Sequence, residues 1–333
     1  MTTRSGPATI AEVAAHAGVS PATVSRVMNG RFVGEPSVAE RVRASARALD
    51  YHPNHLARSL ALGRTGAVGL VVPDLANPAF QEVLSGLAKS AAEDGYRILV
   101  TDSAEHPEDE PELATEIRRR CDAVVLCAPR MRHDDLVTLA PTLDPLVLVN
   151  RPDVTVAAPS LSIDYGAGIA ELARYMYESG HRRFAFLAGP EMSVSNALRL
   201  ASLDRFASDH PDTTMVRIPS GVGIENGLAA ADAVARADVT AALAYNDLVA
   251  VGLINGLAEH GIRVPEDISV AGFDDIPYAR YMSPPLTTVA VPHTDLGVEA
   301  WDRMQTLLNS RRPAGQVVLT PRLEVRGSTD RLI

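Results

Sequence analysis

Cysteine is scarce: a chain of 333 residues holds only Cys121 and Cys127. That argues against a disulfide framework and against a four-ligand zinc site. Cys127 sits inside an apolar run, and both residues read as ordinary reduced thiols. No run of roughly 18 apolar residues occurs, so no membrane-spanning helix is expected. Met1 to Gly6 lack the apolar core and cleavage site of a secretory leader, which points to a cytoplasmic protein. Lysine occurs once, at Lys89, so arginine carries nearly all the positive charge. The single tryptophan, Trp301, is expected in the core or at a subunit contact.

What is present suits a globular protein of two or three compact units, with 46% hydrophobic and 22% charged residues. The formal net charge of −10 argues against a nucleic-acid partner until its distribution is considered. Residues 1–62 hold seven arginines against four acidic residues, a balance of +3, which leaves −13 on the rest. A basic head on an acidic body can meet phosphate locally while the body stays off it.

Three helix signals fall within the first fifty residues. Thr9-Ile10-Ala11-Glu12 is a capping box, and its helix should run to Ala17 and stop at Gly18. Ser20 as N-cap and Pro21 at the first helical position then start a second helix, which ends at Asn29-Gly30. Ser37-Val38-Ala39-Glu40 reads as another capping box, opening a third helix with Val38, Val42, Ala46 and Leu49 on one face. Two short helices joined by a tight glycine turn, with a third behind, make a helix-turn-helix. A plain three-helix protein-binding module would share that pattern. The second helix favours DNA, because Ala22, Thr23, Ser25 and Arg26 give close approach, hydroxyls and a guanidinium able to fork onto guanine.

The segment from Ala8 to Gly30, ATIAEVAAHAGVSPATVSRVMNG, resembles the head of the lac-repressor (LacI/GalR) family of bacterial transcriptional regulators, as does Leu49 to Asn54 followed by His55 to Leu60. The resemblance implies DNA contacts from Thr9, Ser20, Pro21, Ala22, Thr23, Ser25, Arg26 and Asn29. It also implies a hinge helix over about 54–62 with contacts from Asn54, Ala57 and Leu60. Leu60 falls where that family wedges a leucine into the minor groove. His52 and His55 flank Pro53 with no further ligand nearby, so no metal and no cofactor are expected.

From residue 66 onward, short apolar runs (67–73, 97–101, 122–128, 146–149, 184–188, 241–245 and 268–273) alternate with helical stretches. That is the signature of α/β architecture with doubly wound parallel sheets, divided near Asp164. Several of the runs end in polar residues: Asp74, Asp102, Asn150-Arg151, Asn246-Asp247 and Asp274-Asp275. Ligands bind beyond the carboxyl ends of such strands. Some of these residues must only cap helices, and Asp247 and Asp102 are the expected cases.

The resemblance extends through the body, in Gly69 to Asp74 with Asn77-Pro78, Ser179 to Arg182, Ala188 to Pro190, Pro265 to Val270 and Pro285 to Val289. It implies an N-terminal all-α head (1–62) and a periplasmic-binding-protein-like body (63–333). The body's first subdomain takes about 63–163 and 293–322, and its second about 164–292 and 323–333. It also implies a repressor controlled by a small polar effector such as a sugar or sugar derivative, acting as a homodimer on an inverted-repeat operator. Phe80, Asp164, Arg199, Asn246 and Asp274 fall on effector-contact positions, and Asp74, a polar strand end, joins them as a candidate contact. Asn150, Val222 and Val291 depart from the family pattern, which weakens the case for any particular sugar. A soluble binding protein would need only the body, and the head argues against it. The chain has no P-loop, no His-Glu-x-x-His and no Gly-x-Ser-x-Gly, so no enzyme is expected.

Overall fold

A computed structural model describes residues 8–28, 30, 32–51, 64–152, 155–311 and 316–332. Asn29, Asn54, Ala57 and Leu60, and with them the expected hinge helix, lie outside the described residues. The chain divides into two compact units, Met1–Thr65 and Gly66–Ile333.

The smaller unit is three helices, α1 (Ile10–Ala17), α2 (Pro21–Met28) and α3 (Pro36–Ala48). Thr9 and Glu12 form the expected capping box, and Gly18 takes φ +65° while Val19 N–H donates to Ala14 O at 3.0 Å. The left-handed residue and the long backbone bond together stop α1. Ser20 Oγ accepts from Thr23 N–H at 3.2 Å at the start of α2. The start of α3 differs from the sequence reading. It begins at Pro36 behind Glu35, with no side-chain cap, because Pro36 already has the φ of a first helical position. Val13, Ala17, Val24, Val27, Val42 and Ala46 bury one core. Arg41 Nε donates to Ala17 O at 2.9 Å, tying α3 to an end carbonyl of α1.

The larger unit holds two six-stranded sheets. The first contains β1 (Ala67–Val72), β2 (Arg97–Asp102), β3 (Ala123–Cys127), β4 (Leu146–Val149), β5 (Ser160–Ile163) and β11 (Val317–Leu319), in the order β11-β5-β4-β3-β1-β2. The second contains β6 (Arg183–Ala188), β7 (Thr214–Pro219), β8 (Ala241–Ala244), β9 (Ser269–Asp274), β10 (Thr287–Ala290) and β12 (Arg322–Glu324), in the order β12-β10-β9-β8-β6-β7. Every pairing is parallel except β10 with β12. Both faces of the first sheet are buried. Leu70, Val72 and Val125 enter one cluster, while Val71, Val124 and Leu126 enter another. That two-sided burial explains the unbroken apolar runs in the sequence.

The covering helices of the first sheet are α4 (Pro78–Glu93), α5 (Glu110–Arg120), α6 (His133–Leu143) and α11 (His293–Leu308). Those of the second are α7 (Tyr165–Glu178), α8 (Val194–Asp209), α9 (Ile224–Arg236) and α10 (Asp247–Glu259). The chain passes between sheets at Asp164, at 291–292 and at 320–321. Arg322, counted with the first subdomain from sequence, pairs with Ala290 in the second sheet. Proline at 321 lacks a donor for the ladder, so the strand breaks there and the chain changes sheets. Two close helix seams hold the layers. Gly86 of α4 lies against Thr294 O and Gly297 of α11 against Val83 O. Gly227 of α9 lies against Val249 O, and Gly252 of α10 against Ile224 O.

Trp301 is core: it is 2% exposed, and its Nε1 donates to Asp94 Oδ2 at 2.7 Å. Both cysteines are buried, and burial pushes the thiols up to about 11 at Cys121 and about 12 at Cys127. At neutral pH neither is a thiolate, so neither is a reactive thiol.

Candidate functional site

The carboxyl ends of the strands are where the backbone departs from ordinary geometry. Of eight non-glycine residues with left-handed φ among the described residues, six lie at or just past strand ends: Ala104, Glu105, Ala128, Asn150, Asp274 and Asp275. Such conformations cost about 1–3 kcal/mol each and persist where surrounding structure fixes them. Four of the six, Glu105, Ala128, Asn150 and Asp274, line one cleft of about 420 Å³, including the solvent at its mouth. The cleft lies among residues of both sheets, with Phe80 and Arg130 from the first half and Tyr165, Arg199 and Tyr245 from the second.

Arg199, on α8, is 2% exposed and sits within three rings. Its guanidinium carbon lies 4.0 Å from the Phe273 ring centre and 4.7 Å from those of Tyr165 and Tyr245. Cation–π attraction and the bond from Nη1 to Tyr245 O, 2.8 Å, fix its direction. Its Nε is buried with no partner. The Tyr245 hydroxyl is held at 2.9 Å from Ser193 Oγ and 3.2 Å from Ser195 Oγ, so that ring cannot swing away without breaking two bonds. Burial pushes the Tyr165 hydroxyl far up, so it stays a neutral phenol.

Opposite lies a pair of facing groups, Asp274 and His293. Asp274 takes φ +116°, and its Oδ1 is 3.5 Å from His293 Nε2. Neither ring nitrogen of His293 makes a hydrogen bond, and both are buried. Behind Asp274 stands Asp247, fully buried at the start of α10. It accepts from Thr288 Oγ1 at 2.5 Å and from Ile276 N–H at 2.9 Å. Burial first, then the neighbouring Asp274 charge, raises its carboxyl well above the usual range. The bond to Ile276 holds the turn that follows the two left-handed residues.

Three of the six sequence-derived effector positions, Phe80, Arg199 and Asp274, line this cleft together. Asn246 does not line it: its Oδ1 caps α10 through Val249 N–H at 2.8 Å and its Nδ2 donates to Val222 O at 2.8 Å. The expected cap, Asp247, is instead the buried support of the Asp274 turn. The two roles exchange because the extended backbone of Asn246 aims its short amide back at the helix start. Asp164 caps α7 through Ala167 N–H at 2.8 Å and faces an outer groove between α7 and α8. Asp74 accepts from Ala76 N–H at 2.7 Å and is not a lining residue. Asp102, the other expected cap, caps no helix either: it accepts from the loop amides of Leu75 and Ala104, while Asn77 is the N-cap of α4.

Sequence reasoning missed Glu105, Arg130 and His293. All three follow a strand end by three residues, and that position was the available signal. In the head, Pro21, Ala22 and Arg26 are exposed on α2 and Ser20 just before it, Thr23 and Ser25 are half-buried, and Thr9 is exposed at the start of α1. They give a face of hydroxyls and small side chains around one guanidinium, which suits a groove of DNA. No helix of the described residues is long and apolar enough to cross a membrane. Among those residues no cluster of His, Cys, Asp and Glu could hold a metal ion.

A family model for bacterial regulatory proteins of the lacI family matches residues 9–54, and one for the periplasmic binding protein-like domain matches 173–329. The chain is 34% identical to the HTH-type transcriptional regulator GalR of Escherichia coli (strain K12) over 331 residues, 96% of this chain and 95% of that one. Among solved structures, a lac repressor dimer bound to operator and the anti-inducer ONPF matches with a TM-score of 0.87 and 27% identity, over 97% of this chain and 99% of that one. A complex of the transcriptional regulator CelR with cellobiose matches with a TM-score of 0.68 and 28% identity, over 96% and 99%.

Proposed function

Since this chain belongs to the lacI family of bacterial regulatory proteins, we propose that it is a cytoplasmic homodimeric repressor whose hold on an inverted-repeat operator is set by a sugar or sugar derivative. The chain is a DNA-binding transcriptional regulator and not an enzyme. Two-fold symmetry in the protein calls for matching symmetry in the DNA, because one helix-turn-helix covers too little sequence to be selective. The effector reading is carried by one observation: Arg199 Nε and both nitrogens of His293 are buried at the cleft without a hydrogen bond. An unpaired buried polar atom costs about 1–3 kcal/mol, which ligand oxygens at that place would recover. Asp274 supplies an acceptor for a hydroxyl, and Phe80 an apolar face for a ring.

Thermal-shift screening of the full chain against neutral mono- and disaccharides tests this directly. A true effector at 100 times its Kd adds about 2.7 kcal/mol of stability. Arg199→Met keeps the bulk within the aromatic cage and removes the charged donors. It should weaken that effector by about 1.5–3 kcal/mol, the range for a hydrogen bond to a charged group. Unchanged affinity by calorimetry would remove Arg199 from the effector site.

The head is tested separately. Arg26→Ala should relax base preference in each half-site by about 1–3 kcal/mol of discrimination, without altering effector affinity. Binding measured against a set of single-base operator variants reads this. A uniform loss over all variants would make Arg26 a phosphate contact instead.

A further inference from the structure

The charged side chains that line the cleft balance: Arg130 and Arg199 against Glu105 and Asp274, with His293 beside them. The balance is local as well as net. Glu105 takes Arg130 in a two-bond fork, Nε to Oε2 at 2.9 Å and Nη2 to Oε1 at 3.0 Å, while Nη1 donates to Ala128 O at 3.1 Å. The Arg130 side chain is 4% exposed and that of Glu105 18%. Paired forks of this kind are among the strongest charge-assisted contacts.

The backbone is arranged to make that pair. Ala104 and Glu105 are two successive left-handed residues, at φ +50° and +59°, neither of them glycine. Glu105 N–H donates to Pro73 O at 2.7 Å, and Asp102 Oδ1 accepts from Ala104 N–H at 2.8 Å. On the other side Glu110, 1% exposed, accepts from the backbone N–H of Arg130 and of Met131. Two loops are thus locked so that a carboxylate meets a guanidinium at the cleft wall.

We propose that Glu105 is a specificity residue: by occupying Arg130, it makes the cleft select neutral polyols over anionic relatives such as sugar phosphates. This rests on the cleft being the effector site. A phosphate entering it meets the carboxylates of Glu105 and Asp274, and finds the directed fork of Arg130 already taken. The other arginine, Arg199, has its guanidinium boxed by aromatic rings. A hydroxylated neutral ligand needs no extra cation and meets donors and acceptors of both kinds.

The test uses the full chain at fixed ionic strength, with inorganic phosphate as the probe. Glu105→Gln keeps the shape of the side chain and frees Arg130, so phosphate should bind at least about tenfold tighter than to the unmutated protein, or 1.4 kcal/mol. The double variant Glu105→Gln with Arg130→Gln should return to the unmutated level. A Glu105→Gln protein with no gain, or a gain that survives in the double variant, overturns the proposal. A second measurement needs no variant. Ribose, glucose and galactose are each compared with their phosphates by thermal shift, and no phosphate should stabilise the unmutated chain where its parent does not. A phosphate that does so overturns the proposal. If the neutral parents also fail while Glu105→Gln gains phosphate, the sugar reading falls and the charge assignment stands.

Discussion

Gly252→Ala should destabilise the larger unit by about 3 kcal/mol, the upper part of the usual overpacking range. In an exposed helix the same change is favourable by about 1 kcal/mol, because alanine is the better helix former. Here a Cβ would fall on Ile224 O and within 2.8 Å of Leu228 N, both backbone atoms of α9 that no rotamer change can move. The helices must part, and the clash outweighs the propensity gain. At about 2–4 °C per kcal/mol for a unit of this size class, Tm should fall by roughly 10 °C. Gly166, in the first turn of α7, is the control. The nearest atom to its Cβ position is 3.6 Å away, ordinary contact distance. Gly166→Ala should therefore be neutral or slightly stabilising. Equal melting temperatures for the two variants would show that the α9–α10 seam is not the constraint described.

The second large effect belongs to Asp247. Removing its side chain in Asp247→Ala leaves Ile276 N–H and the Thr288 hydroxyl unpaired in the interior, at about 1–3 kcal/mol each. The loss should come to about 2–6 kcal/mol by denaturant unfolding. Effector affinity should fall too, since Ile276 anchors the turn that presents Asp274. Asp247→Asn separates charge from shape. Burial raises the folded-state pKa above the unfolded value of about 3.9, so the fold prefers the neutral acid. The stability this group contributes is complete below about pH 4 and is lost as pH rises through the raised value. Asparagine carries no such titration. The gap between Asp247→Asn and the unmutated protein should therefore shift in favour of the variant as pH rises from 4 towards the raised pKa. Glu82 and Glu110, whose carboxyls burial also raises, contribute equally to both proteins and cancel in the difference. Parallel stability curves would mean that Asp247 folds ionised.

How much of this was legible follows from where the signals lie. Helices α1 and α2 were readable from local chemistry alone, because Thr9, Glu12, Gly18, Ser20 and Pro21 act within a turn of their own positions. The seven apolar runs each became a strand; in all but the edge strand β2, which is partly open to solvent, the strand is largely buried, which leaves little polar interruption. β5, β7, β10, β11 and β12 were not seen. β5 carries two serines in four residues, β7 is an edge strand largely open to solvent, and β11 and β12 are three residues each. Of the cleft, Asn150 and Asp274 were legible as polar ends of apolar runs, while Arg199 and Phe80 came from resemblance and not from any local pattern. Glu105 and Arg130 are invisible locally because each is aimed by a left-handed residue at or near it, and a preference for that conformation is not written in an Ala or a Glu. The exchange between Asn246 and Asp247 turns on backbone angles, which adjacent polar residues in a sequence do not reveal.

The last crossing has a consequence for how the protein is made. β11 is the outermost strand of the first sheet and β12 the outermost of the second, and only Thr320 and Pro321 separate them. A nascent chain therefore cannot complete the first sheet until residue 319 has cleared the ribosome, nor the second until residue 324 has. By that point almost the whole larger unit has been synthesised and must hold its unfinished edges apart from neighbouring chains. A premature stop anywhere before residue 317 would strip both sheets at once, so such truncations should damage the two halves together and never leave one intact.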